Sequence, residues 1–538
     1  MRITPTNLVD HPAQIVRALL VLIAGWAALV FSATILATPQ SATSAGDLKQ
    51  IESLVDSGKI DVAEKKLWEI VTREPENAPA INLLGTIRVQ QKRFPEAEAL
   101  FKRVLAITPD SASAYRSLGQ LYVIQDRRNE AKTAYLNAHE LDPHDVRTSF
   151  VLAAIYEETG EFKRSLDILD TVPPARLPSG ALPVLASDYF ALKQPEKVAT
   201  LAPQVRRSMA SEPSLAPRFA RVLLDNGFVD DAADLLKAAP LQQETTSDYL
   251  LVLARVQERQ GNPTLAERTL TRLSKLDPKS FDAPFQLARL ASQVKDYKKE
   301  AALLEKALEI QPDHLEALHH LVLARMRSDD AAKAVTEARH LYSLYPADPD
   351  ALYLLGVALA NHSEWHVARP IMEKLVAARD DATSRVMLGM TLLNDGDVEG
   401  ASQQIERALQ QNPNELEAHY YRGMIARQRG DLPGALKEME LVVHANPQHV
   451  QAQAELGTLA MQLGDLDGAR QAFEQAVLFG PGVPENHYQL ALAYSRLGQP
   501  DKARAQMAEF QKLKGAADRS RSNRPTSNDL PVTNKPPS

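Results

Sequence analysis

Proline recurs in this chain at 34-residue intervals: Pro75, Pro109 and Pro143, then Pro278, Pro312 and Pro346, then Pro413, Pro447 and Pro481. Each closes a stretch in which a Leu-Gly or Leu-Ala pair and a small Ala return at fixed offsets. A period of this size means one supersecondary unit copied along the chain, which buries its apolar face by stacking on its neighbours. It overrides the prior of about three or four globular domains that a chain of 538 residues would otherwise suggest.

Composition narrows the function classes. With 61 basic and 68 acidic residues the net charge is -7, which offers no clustered cation surface for phosphate. Aromatic residues are 6% of the chain, too sparse for base-stacking platforms, so no nucleic-acid partner is expected. There is no cysteine, which removes thiol nucleophiles, disulfides, zinc-thiolate sites and iron–sulfur ligation together. It also removes the lipid-attachment cysteine of a bacterial lipoprotein.

Residues 18–37, ALLVLIAGWAALVFSATILA, carry no charge and follow a 1–17 segment holding Arg2 and Arg17. At about 1.5 Å per residue this run just covers a bilayer core of roughly 30 Å. It exceeds a signal-peptide core of about 7–15 residues, yet Ile35-Leu36-Ala37 and Thr43-Ser44-Ala45 would both serve as cleavage sites. The positive charges precede the run, so the N-terminus is expected in the cytoplasm. Retained anchor or cleaved signal, either reading exports the remaining chain, to an inner-membrane single-pass topology or to the periplasm or medium. Residues 38–43 are read as a linker.

With position 1 at Ala112, one unit reads Tyr115 at 4, Leu118-Gly119 at 7 and 8, Tyr122 at 11, Ala131 at 20, Tyr135 at 24, Ala138 at 27 and Pro143 at 32. The first four positions form the i, i+3, i+4, i+7 stripe of one helix, and 20, 24 and 27 a stripe on a second. Small residues at 8 and 20 let the two backbones approach, and a proline after the second helix ends it. Asp395-Gly396, Gly430-Asp431 and Gly464-Asp465 sit where the two helices must turn. The pattern resembles the tetratricopeptide repeat (TPR) family, W-x2-L-G-x2-Y, then A-x3-F, then proline, with Tyr in place of Trp and Phe. The resemblance identifies a bacterial exported or membrane-anchored repeat protein and implies an all-α, right-handed superhelical solenoid of antiparallel helix pairs.

Unit starts follow at Ser44, Ala78, Ala112 and Val146, then, after a one-residue deletion, Ser179, Pro213, Ser247, Phe281, Leu315 and Pro349. A second deletion gives Ala382, Leu416, Val450 and Pro484, fourteen units over about residues 44–517. We divide these into an N-terminal block at 44–178, degenerate proline-rich units at 179–246 and a C-terminal block at 247–517. The proline density from Pro173 to Pro217 reads either as a bend or as a degenerate stretch without mechanical role. The unit at Phe281 departs from the pattern with Glu300 at position 20 and the small residue displaced to Ala301. The last helix is read as Asp501 to Lys514, and the polar tail, 518–538, as disordered.

No HExxH, GxSxG or GxxxxGK[ST] motif occurs, so no catalytic residue, metal site or cofactor is expected. His362 and His366 have the i, i+4 spacing of a zinc pair, but they fall at positions 14 and 18, across a turn, and read as solvated. In the family that the pattern resembles, positions 2, 5, 9, 12 and 13 of the first helix line a concave groove. Carried onto this chain, the partner-binding positions are Glu417, Tyr420, Met424, Arg427, Gln428, Gln451, Thr458, Met461, Gln462, Tyr488 and Arg496; Phe285 and Arg289 are counterparts in an earlier unit. The expected function is a non-catalytic scaffold that binds an extended peptide or helix of a cell-envelope protein. The rival is a polysaccharide-export or secretion-system subunit contacting glycan directly. The three tryptophans, Trp26, Trp68 and Trp365, lie off the groove positions and weigh against that rival.

Overall fold

The computed structural model describes residues 45–173, 176–240 and 246–522, and among them the regular elements are 28 α-helices with no strand. The apolar run at 18–37, its flanks at 1–17 and 38–43, and the tail beyond Ser522 lie outside the described residues. Among the described residues no helix is long and apolar enough to cross a membrane.

The helices alternate as first and second members of fourteen pairs. Ten first helices begin on the residue that the repeat spacing names, from Ala78–Gln90 and Ala112–Ile124 to Val450–Leu463 and Pro484–Arg496, and the other four begin within two residues of it. The starts are sharp because the preceding residue caps them. Asn77, Ser111, Asp145, Thr246, His314, Asp348, Asp381 and His449 each accept a hydrogen bond from a backbone N–H two or three residues on. Aspartates do the same for several second helices, among them Asp431 and Asp465, which accept from Gly434 and Gly468.

The turn within each pair is stricter than its sequence suggests. Among the described residues fourteen have positive φ, and all fourteen fall on position 15. Eight are glycine, which takes this backbone without penalty; the others are Lys92, Asp126, Lys193, Lys295, Asp329 and Ser363, at φ between 57° and 65°.

Inside each pair, position 8 meets position 24. Gly85 lies against Phe101, Gly119 against Tyr135, Gly356 against Met372, Gly389 against Ile405, Gly423 against Met439 and Gly457 against Phe473. Where position 8 is Ala153, Ala220, Ala254 or Ala288, position 24 is leucine: Leu169, Leu236, Leu270 or Leu304. In these ten units a larger residue on one helix is matched by a smaller one on the other, holding the summed volume near constant.

Compactness divides the chain between Ser280 and Phe281. In each part the core is a chain of local clusters, each drawing on adjacent units. Leu318, Val322 and Leu341 pack with Leu354, Leu355 and Ala368 of the next pair, for example. Each fully buried large side chain, such as Phe101 or Phe473, adds about 1.5–3 kcal/mol. The proline-dense stretch keeps its helices, Ala181–Ala191, Pro195–Ser208 and Leu215–Asp225. Pro183, Pro195 and Pro217 fall in first turns, where no N–H has an intrahelical acceptor, and only Pro203 sits in a helix interior. The last helix, Pro500–Ser522, runs past Lys514 and through Gly515.

Within residues 281–522 the first helices of successive units touch one another. Leu315–Arg327 meets Pro349–Asn361, Ala382–Asn394 meets Leu416–Gln428, and Val450–Leu463 meets Pro484–Arg496, while second helices of successive units make no comparable approach. Elements that crowd on one side and spread on the other curve the array toward the crowded side, so the first helices stand on the inner side of this part.

Candidate functional site

The residues read as groove positions all lie on these inner helices, but they divide by what they touch. Gln428, Gln451, Gln462, Tyr488 and Arg496 are exposed. Tyr488 keeps 38% of its surface, its ring 5.3 Å from that of Phe510 on the last helix. Glu417, Tyr420, Met424, Arg427, Thr458 and Met461 are half-buried and engaged with neighbours.

The engagement follows the repeat. His449, which caps the helix Val450–Leu463, accepts from Ala452 N–H through Nδ1 at 3.1 Å, leaving the proton of the neutral ring on Nε2. That nitrogen faces Glu417 of the preceding unit at 3.4 Å, off-line for a hydrogen bond, so the attraction is electrostatic. The imidazole holds the Glu417 carboxyl below its usual range against the opposing effect of burial. The Tyr420 ring stacks on His449 at 5.3 Å and meets the edge of Tyr421 at 5.1 Å. Burial pushes the Tyr420 hydroxyl up to about 12. Arg427 crosses to Glu455 of the next unit at 3.3 Å.

Met424 packs on the cluster of Ala435, Met439, Val442 and Leu459, and Met461 on that of Phe473 and Leu490. Thr458 returns its hydroxyl to Ala454 O at 2.9 Å. Position 5 thus joins a unit to the cap of the next: Tyr420 to His449, His319 to Asp348 at 3.1 Å, and Arg116 to Asp145. The capping residues His449 and Asp348 escaped the sequence reading. Their signal was the polar residue immediately before each unit start.

Of these eleven positions, those left exposed are three amides, one phenol and one guanidinium, groups that hydrogen-bond a peptide and stack on its side chains. Among the described residues no group of three or more His, Asp or Glu is arranged to hold a metal ion. His362 pairs with Glu364 at 2.8 Å, and His366 is 93% exposed.

Tetratricopeptide repeat family models match this chain at residues 54–121, 112–145, 251–314, 320–383, 386–449, 426–485 and 487–509. The chain is a tetratricopeptide repeat protein. This family is generally a non-enzymatic scaffold that mediates protein–protein interactions. No curated protein matches the chain. Among solved structures, the crystal structure of the APC/C hetero-tetramer Cut9-Hcn1 is similar at 14% identity and a TM-score of 0.41, over 81% of this chain and 93% of that one. The human IFIT1 dimer with m7Gppp-AAAA is similar at 17% identity and 0.38, over 56% and 77%. MamA is similar at 19% and 0.27, over 31% and 97%. At these scores the likenesses of the tetratricopeptide arrays carry no argument about function.

Proposed function

We propose that this protein is a non-catalytic scaffold whose inner helices, within residues 281–522, receive an extended peptide or a helix of a protein partner in the bacterial cell envelope. The observation that carries the reading is the curvature toward the first helices, which gathers Gln428, Gln451, Gln462, Tyr488 and Arg496 on one side, where Tyr420, His319 and Arg427 tie successive units together. A pre-ordered surface binds without the cost of ordering itself. The apolar run at 18–37 supports placement in the envelope, as an anchor or a cleaved signal, and a reporter active only outside the cytoplasm, fused after Ser538, tests that placement.

The binding reading is tested with the exposed residues, because replacing Tyr420 or Arg427 would loosen the joint as well. Gln428→Ala, Gln462→Ala, Tyr488→Ala and Arg496→Ala combined should reduce capture of a crosslinked envelope partner by about tenfold or more, with unchanged helical content. Retention at full affinity would refute the assignment of this side.

A further inference from the structure

Position 20 is where the second helix comes close to the first, and ten units hold there an alanine no more than 1% exposed, Ala266, Ala334 and Ala368 among them. In the unit beginning at Phe281 the position holds Glu300, itself 2% exposed. Alanine satisfies the stack in those ten units, and Ser165 and Val198 fill the position in two others, so packing does not call for a carboxylate here. Burying one is costly unless it is paired.

Glu300 borders a cavity of about 240 Å³, lined also by Phe285, Ala288, Arg289, Ser292 and His320. Phe285, Arg289 and Ser292 stand at positions 5, 9 and 12 of the first helix, so the cavity borders the inner side. The Ser292 hydroxyl favours the charged form of the Glu300 carboxyl, and the carboxyl oxygen Oε2 is buried without a hydrogen-bond partner. No nearby basic group bonds that oxygen. Arg289 donates to Gln286 Oε1 at 2.7 Å, and His320 stands 3.8 Å from Glu316. His320 and Arg327 act on Glu300 only through space, and burial raises its pKa despite them. The Phe285 ring, with His320 at 6.2 Å and 73° to it, gives the cavity an aromatic wall.

We propose that this cavity is a specificity pocket for a lysine or arginine side chain of the bound partner segment, the cationic head donating to Glu300 Oε2 beside the ring of Phe285. A cationic donor satisfies the orphan oxygen by a charge-assisted bond, which a neutral donor cannot match, and the ring adds cation–π attraction. The pocket rests on the proposal that a partner segment lies along the inner helices, and it adds to that proposal the chemistry of one required residue.

The test uses the full chain and two probes. The first is a displayed library of random 12-residue peptides; the second is methylguanidinium, followed by the ring resonances of His320. Selected peptides are expected to share one Lys or Arg, and their affinity to fall at least about tenfold on Glu300→Gln. Methylguanidinium should shift His320 in the parent and not in Glu300→Gln. Glu300→Ala restores the residue of the other units, so it is expected to unfold no earlier than the parent, and a loss of binding in it cannot be laid to misfolding.

Peptides that bind without a shared basic residue, or that ignore Glu300→Gln, would overturn the pocket and leave the scaffold reading standing. A library yielding no peptide, with the methylguanidinium shift present and dependent on Glu300, would sink the peptide reading and uphold the cation site. A methylguanidinium response equal in parent and variant overturns the site itself.

Discussion

A β-carbon on Gly457 would stand 2.7 Å from Cε1 of Phe473, closer than carbon atoms pack. The glycine is therefore half of a paired shape, and the aromatic ring on the second helix is the other half.

Gly457→Ala is expected to destabilise the protein by about 1–3 kcal/mol, as overpacking does. Phe473→Leu alone should also destabilise, by leaving a cavity. Joined, they reproduce the Ala/Leu pairing of Ala254 with Leu270, so the double variant should be more stable than the two separate costs added together. Strict additivity in urea unfolding would show that the two sites do not share space.

The left-handed turn makes a second expectation. Lys92→Gly and Asp329→Gly relieve a non-glycine residue at φ 58° and 65° and should each stabilise by about 0.5–1 kcal/mol. Gly464→Ala, at φ 85°, should cost about 1–2 kcal/mol although nothing lies within 4 Å of the added carbon. Thermal unfolding decides it; if Gly464→Ala is neutral, the turn relaxes freely.

His449 is a cap and a joint at once. His449→Ala should cost about 0.5–2 kcal/mol, and His449→Asn should recover most of that loss because Asn77 caps the same position in another unit. If Asn behaves like Ala, the stacking on Tyr420 rather than the cap carries the effect.

Stability should also fall as pH rises through neutrality. Asp188 is fully buried; Ser165 donates to its Oδ2 at 2.7 Å and Oδ1 has no partner. Burial pushes its pKa up to about 8, with the Ser165 bond opposing and the Glu157 charge adding. The folded chain then keeps a proton that the unfolded chain releases above about pH 3.9. The stabilisation is complete below that value and lost progressively up to about pH 8. Between pH 5 and 8 the melting temperature of Asp188→Asn should decline less than that of the parent. Parallel declines would mean that Asp188 is ionised in the fold.

The order of helices was legible because proline, the Leu-Gly pair and the small residue at position 20 each impose a local geometry that neighbouring units repeat. The left-handed position was not, because glycine occupies it in only eight units, and Lys92, Asp126 and Ser363 at the same place look like ordinary turn residues. The candidate surface was legible only as a set of positions. Whether Tyr420 or Arg427 is free depends on a partner, His449 or Glu455, about one unit further along, and no local pattern announces that pairing. Glu300 did announce itself, as a departure from the pattern, but its orphan oxygen is a matter of three dimensions.

Both one-residue deletions in the repeat fall after position 15, since Gly160 and Ser363 keep their places while the next units begin one residue early. In the second case the helix Trp365–Ala378 keeps its full length, and Arg379, Asp380 and Asp381 alone lead to Ala382, with no proline. The clasp within a pair has one admissible length; the coupling between pairs does not. A tag or crosslinker inserted at Asp380–Asp381 would change the reach of a coupling, while the same insertion at Ser363 would break a prefabricated part.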